Sequence, residues 1–341
     1  MAPEGHGFRR LRGPVHRRHR TYDLPVPPFI SYAQNREDVV LFRALGHVPS
    51  GRYVEVGANH PTHDSATRAF YDRGWSGLTV EPVPHFAELH REERPRDTLV
   101  QAAVTDDAPG EVTLHVVADT GLSTIVDAIN EQHAAAGIAS EELTVPAVRL
   151  DTLLSDQGWS ADDPIHFLLV DVEGAEQAVL RSIDLERWRP WVLVIEATKP
   201  NSTESTHDEW EDGVLAAGYE FCLFDGLSRY YVAKEHAPEL KATLSYPACV
   251  LDHYLTHGHD QALQDAERAR QDVDRLLVET THWRTVALTQ WADVVGAVGI
   301  AASEERAHLL SELDAIRNTV SWRVTRPLRG VRTLLDRARQ S

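Results

Sequence analysis

From about Phe29 to Tyr254, short apolar runs ending in acids or glycines alternate with segments of helical spacing. An unbroken apolar run of this length suits a strand covered on both faces, and strands separated by helices suit a parallel sheet. Four runs carry the pattern: Arg52-Tyr53-Val54-Glu55-Val56-Gly57, Gly77-Leu78-Thr79-Val80-Glu81, Ile165-His166-Phe167-Leu168-Leu169-Val170-Asp171 and Trp191-Val192-Leu193-Val194-Ile195-Glu196. Open doubly wound sheets bind ligands outside the carboxyl ends of their strands, so Glu55, Glu81, Asp171 and Glu196 are expected along one rim. Gln101–Asp106 reads as the end of a third strand and its loop. Tyr219–Phe224 and Arg229–Ala233, joined by Asp225-Gly226-Leu227-Ser228, read as a closing antiparallel hairpin. The expected fold is α/β and Rossmann-like, with a seven-stranded, mostly parallel sheet.

The pattern breaks at both ends. Residues 1–28 combine Arg, His, Gly and a Pro-rich lead-in without a periodic apolar face, and read as a disordered tail. Beyond about residue 256 the spacing turns helical, with Leu263, Ala266, Val273, Leu276 and Leu277 amid charges, and no proline intervenes before Pro327. The expected division is a tail over 1–28, a catalytic domain over 29–255 and a helical extension with a basic end over 256–341. That extension suits either a helical hairpin on its own domain or a homo-oligomeric coiled coil.

Charge follows the same division. The net charge of -18 over 341 residues separates into +5 for Met1–Arg20, +6 for Arg317–Ser341 and -29 between them. An acidic body repels phosphate backbones, which argues against nucleic acid as a partner. Two cysteines, Cys222 and Cys249, make no disulfide framework, and no window has the apolar length of a membrane span. The expected location is the cytoplasm.

Gly57 supplies the residue without a side chain that a strand-to-helix turn needs where it passes close to a ligand. Neither the G-x-G-x-x-G fingerprint nor a Walker loop is present. Glu55-Val56-Gly57-Ala58-Asn59 suits a ligand with an ammonium and a sulfonium group, such as S-adenosylmethionine. Glu81, at the end of the next strand, can accept both hydrogen bonds of a ribose diol. Asp106 either accepts from the adenine amino group or belongs to the ordinary turn Asp106-Asp107-Ala108-Pro109-Gly110.

Four motifs in order, Tyr53–Asn59, Asp64–Trp75, Glu81-Pro82-Val83-Pro84 and Asp171-Val172-Glu173-Gly174-Ala175-Glu176, resemble those of the FkbM family of S-adenosylmethionine-dependent methyltransferases. The resemblance covers about Ser31 to Glu235. It implies a class I methyltransferase fold, O-methylation of sugars or natural products, and cofactor binding by Glu55, Gly57, Asn59 and Glu81. Pro61 departs from the glycine of many relatives.

Methyl transfer is an in-line displacement, so the protein must align a hydroxyl and deal with its proton. Asp171 and Glu196 stand at strand mouths, and His207, on the polar loop after the fifth strand, is the expected base. Asp171, Glu173 and Glu196 could together hold Mg2+ through oxygen ligands. Glu173 and Glu176 are equally explained as acids in the first turn of a helix. Val320–Arg329 is similar to short basic tails of glycan-modifying enzymes, which implies contact with a membrane surface at the inner face or with a glycosyltransferase. The expected acceptor is a sugar hydroxyl in a polysaccharide, glycolipid or glycosylated metabolite. The alternatives are methylation of a non-sugar natural product and a non-catalytic scaffold.

Overall fold

The computed structural model describes residues 28–118, 120–301 and 303–325. The basic stretch 1–20, most of the Pro-rich lead-in and residues 326–341 lie outside the described residues. Contacts divide the chain into two units, Met1–Gln261 and Ala262–Ser341.

Among the described residues of the first unit, twelve strands form three sheets: β1 (Phe29–Ser31), β2 (Arg52–Val56), β3 (Ser76–Val80), β4 (Thr98–Val100), β5 (Ala103–Val104), β6 (Gly110–Val116), β7 (Glu141–Val148), β8 (Phe167–Val170), β9 (Val192–Glu196), β10 (Tyr219–Phe224), β11 (Ser228–Ala233) and β12 (Tyr254–Thr256). The central sheet has seven strands in the order β10-β11-β9-β8-β2-β3-β4. Its β9-β8-β2-β3-β4 part is parallel, and β10-β11 closes it antiparallel against β9. Every residue of Phe167–Val170 and Val192–Glu196 is buried. Their side chains alternate between two cores, as strand geometry requires. Val54, Leu168 and Leu193 meet Leu150, Leu154 and Trp188 on one face. Tyr53, Phe167 and Val194 meet Leu41, Phe70 and Trp75 on the other.

From β2 the chain winds one way through β3 and β4, whereas β8 and β9 extend the sheet the other way. The point of reversal lies between β2 and β8, and there the carboxyl ends of adjacent strands leave an open crevice.

The expected third strand divides in two. Thr98–Val100 pairs with β3 in the central sheet, while Ala103–Val104 pairs with β7 in a separate sheet of order β5-β7-β6. The buried bend at Ala102 separates them. A third, two-stranded sheet pairs Phe29–Ser31 with Tyr254–Thr256, so the two ends of the catalytic unit are joined.

A buried polar network fixes the sheet at β2. Arg94, fully buried, ion-pairs Asp97 at 2.8 Å and donates to Tyr53 Oη and Thr67 Oγ1, both at 2.7 Å. Thr67 donates in turn to Glu55 Oε2 at 2.7 Å. The Arg94 guanidinium lies 3.8 Å from the same Glu55 carboxylate. Tyr53 and the Gly77 N–H both donate to Asp97, which ties β2 to β3.

Helix His257–Ala301 runs from the first unit into the second, where helices Ser303–Asn318 and Val320–Val324 follow. Val273, Leu276, Leu277, Trp283 and Trp291 on the long helix are exposed. Among the described residues no helix is long and apolar enough to cross a membrane.

Removing the cation from the network leaves buried carboxylates unpaired. Arg94→Met is expected to cost about 3–5 kcal/mol in urea unfolding, as breaking a buried pair from one side does. A cost under about 1 kcal/mol would mean that the network does not hold the sheet.

Candidate functional site

The strand-end crevice is shaped first by backbone. Gly57 adopts φ +83°, and a Cβ there would lie 1.7 Å from the Asp171 carbonyl oxygen, so no other residue fits. The Gly57 and Ala58 N–H groups donate to Val80 O, which turns the chain across the end of β3. Asn59 follows at φ +46°, its N–H donating to Glu81 Oε2 at 2.7 Å and its carbonyl accepting from His90 Nε2 at 2.9 Å. The His90 ring is pushed down to about 4, chiefly by burial, so it stays neutral and holds the loop as a donor. Glu81 Oε1 takes the Val83 N–H at 2.7 Å. Burial pushes the Glu81 carboxyl up to about 7 despite these two donors, and its remaining lone pairs are available to a ligand.

Two cavities meet at this loop, with Gly57, Asn59, Gly121, Asp171 and Glu173 lining both. The first holds about 590 Å³ of empty space between Glu81 at one side and apolar walls from Val80, Phe86, Ala103, Leu114 and Ile125. This combination of an apolar slot and few polar groups is that of a small-molecule cleft. Leu114 and Ile125 belong to β6 and the segment after it, so the small sheet forms a wall of the site. Sequence reasoning missed that wall. Its one signal was the alternation in Val112-Thr113-Leu114-His115-Val116. The second cavity, about 1080 Å³, is polar and includes Gln34, Glu37, Glu55, His63, Asp64 and Ser228.

Asp171, Glu173 and Glu196 converge beside the crevice, each offering an oxygen within 4.8 Å of the others. Burial raises all three carboxyls, and their mutual repulsion adds to the effect on Glu173 and Glu196. Carboxylates this close favour sharing a proton between Asp171 and Glu196. The Oε2 atoms of Glu173 and Glu196 are buried without a partner among the described residues. Glu173 is not in a helix's first turn, because the helix begins at Glu176. It occupies a left-handed turn at φ +50°, its carbonyl held by Thr124 Oγ1 at 2.8 Å. Glu176 has the structural role instead, accepting from the Gly174 N–H at 3.0 Å.

The structure thus brings Gly57, Asn59, Glu81, Asp171 and Glu173 together around the crevice, with Glu55 on the wall of the second cavity. Glu55 is already engaged by Thr67 and Arg94. Asp106 lines neither cavity, and Ala102, Ala103 and Val104 stand where it was expected. His207 also lies outside both walls; Ser205 Oγ meets its Nδ1 at 2.5 Å and Glu211 lies 3.7 Å from its Nε2. The histidine on the second cavity is His63.

Glu173 is raised from 4.5 to about 8, so across that window the fold keeps a proton that the unfolded chain has released. Its contribution to stability is present below 4.5 and lost as pH rises through 8. The buried histidines act oppositely, but their effect is complete above the ordinary histidine value of 6.5. Melting temperature of the ligand-free protein is therefore expected to fall between pH 7 and 9, and less steeply in Glu196→Gln. A flat profile in both would contradict the clustering.

The family model described as the methyltransferase FkbM domain matches residues 55–221. None of the curated proteins compared with the chain matches it. Similar solved structures include a TehB-like SAM-dependent methyltransferase from Corynebacterium glutamicum, at 9% identity over 58% of this chain and 88% of that one, with a TM-score of 0.31. The putative methyltransferase yhhF from Escherichia coli has 12% identity over 62% and 91% of the two chains, with a TM-score of 0.32. Likenesses this distant say nothing about substrate. Residues 55–221 of the chain thus carry a methyltransferase FkbM domain.

Proposed function

We propose that this enzyme transfers the methyl group of S-adenosylmethionine to a hydroxyl of a sugar in a polysaccharide, glycolipid or glycosylated metabolite. The observation that carries the reading is the junction at Gly57 and Asp171 of an apolar cavity edged by Glu81 with a polar cavity rich in hydrogen-bonding groups. The first has the donor's shape requirements: a flat apolar slot for a purine, a carboxylate for the ribose diol and a bare backbone turn at Gly57. The second suits a polyhydroxylated acceptor.

When bound, the donor supplies an electrophilic methyl group on a positively charged sulfur. The chain's own residues then align and deprotonate. Glu81, fixed by two backbone donors, holds the nucleoside end. Asp171 stands at the junction and takes the hydroxyl proton as the oxygen–carbon bond forms, with Glu196, which lines neither cavity, beside it to share that proton. In this reading the base is on the strand ends rather than on His207, which lines neither cavity. Mg2+ at Asp171, Glu173 and Glu196 is the finer form of the reading: a hard cation would replace the shared proton and use the unpartnered oxygens as ligands.

Glu81→Gln keeps the shape but weakens acceptance from a diol. Its affinity for S-adenosylhomocysteine, measured by calorimetry, is expected to fall at least about tenfold, as for a lost charge-assisted hydrogen bond. Unchanged affinity would remove Glu81 from the site. Turnover on glycans and glycosides, read by mass spectrometry as added methyl mass, is expected to fail after chelation and to recover with Mg2+. Undiminished turnover in chelator would remove the ion, and turnover confined to aglycones would remove the sugar.

A further inference from the structure

The second cavity has a charge imbalance that methyl transfer alone does not require. Glu37, Glu55, Asp64, Asp171 and Glu173 line it, and among the described residues no lysine or arginine does. Glu55 is balanced from behind by Arg94. Asp171 shares a proton with Glu196, and Glu173 stands beside that pair. Glu37 has neither resource. It is 6% exposed, its Oε2 accepts the Asn35 N–H at 3.0 Å, and the charges acting on it, Asp225 and Asp38, are both negative.

The adjacent acid shows the difference between a structural carboxylate and an open one. Asp38 accepts from Ser31 Oγ and the Tyr32 N–H, both at 2.7 Å, and from the Ala33 N–H at 3.3 Å, clasping the chain before its helix. Arg36 precedes both acids but turns away: its backbone is left-handed at φ +72°, and its guanidinium donates to the carbonyls of Ala33 and Gln34. Glu37 is left facing the cavity. Residues 34–38 also precede the segment 55–221 that the family model matches, so that match assigns them no role.

The cavity extends from Glu37 to the reacting end. At that end Asp171 and Glu173 line it, Glu173 with a buried, unpartnered Oε2 among the described residues, and Ser228 beside them stands in register with Glu196 just behind the wall. A ligand bridging the two ends must offer a donor to the trio and a cation to Glu37. A buried carboxylate lacking a cation is costly, and a ligand that brings one recovers that cost on binding.

We propose that this cavity is the acceptor subsite and that it takes an amine-bearing sugar or polyol, with the ammonium group against Glu37 and a hydroxyl at Asp171. The assignment rests on the methyltransferase reading above. It also defines what is disfavoured, because a uronate or sugar phosphate would bring negative charge to a wall of five carboxylates where, among the described residues, no lysine or arginine stands and His63 is the one histidine.

The test uses the full chain saturated with S-adenosylhomocysteine and three probes: methyl 2-amino-2-deoxyglucoside, methyl glucoside and methyl glucuronide. Calorimetry or ligand-observed NMR is expected to show the amine binding at least about tenfold tighter than the glucuronide, with the glucoside between them. Glu37→Gln, checked for folding by its affinity for S-adenosylhomocysteine, is expected to reduce the amine to the level of the glucoside. Equal binding of amine and glucuronide overturns the proposal, and so does absence of amine binding to a complex that holds S-adenosylhomocysteine. An unchanged preference in folded Glu37→Gln overturns it as well. Failure of the wild-type chain to bind S-adenosylhomocysteine is a different result, since it removes the methyltransferase reading together with the subsite built on it.

Discussion

The site depends on how closely two backbone segments approach at the point where the sheet changes direction. The turn at Gly57 passes so near the Asp171 carbonyl that there is no room for a side chain between them. That contact brings the loops after β2 and β8 together and places Glu81 on one side and the carboxylate trio on the other. A ligand reaching across the junction meets both without any rearrangement of the sheet. Positioning of this kind is the main contribution a protein can make when the transferred group arrives already activated.

Electrostatics divides the buried acids into two classes. Glu55, Asp97 and Asp38 are matched by Arg94 or by hydroxyl and amide donors, so they are part of the fold, although burial still pushes Glu55 up to about 7 and Asp38 up to about 6. Glu37 has only backbone amides as partners, Glu173 and Glu196 face each other and Asp171, and burial raises their carboxyls further, Glu37 and Glu173 to about 8. Unmatched buried charge is tolerated where function uses it. The division explains why Glu55 and Glu81, which look alike as acids near strand ends, differ in role. Glu55 lies within β2 and is anchored from behind, whereas Glu81 follows β3 and is anchored only by loop amides.

Much of this was legible from residue order. The four apolar runs became β2, β3, β8 and β9, and the hairpin 219–233 closed the sheet, because fully buried strands leave an unbroken apolar signal. That Gly57, Asn59 and Glu81 line one crevice could be read because the turn demands particular residue types. The small sheet was harder to read. Its strands are half-exposed, and β5 has two residues beside a bend, too few to separate from β4 by pattern. Asp106 and His207 were chosen for their chemistry, but which wall a loop side chain faces depends on packing over distances that local sequence does not encode. Glu37 was passed over for the same reason: in a helix's first turn an acid looks like a response to the helix dipole.

The pairing of Phe29–Ser31 with Tyr254–Thr256 links the first and last strands of the catalytic unit. Such a clasp closes a loop of more than two hundred residues, and closure entropy grows only slowly with length, so a short ladder can hold it. The two termini of this unit therefore fray or hold as one. A cut before Tyr254, meant only to shed the helices, would also unzip the opposite end, next to the helix that carries Glu37.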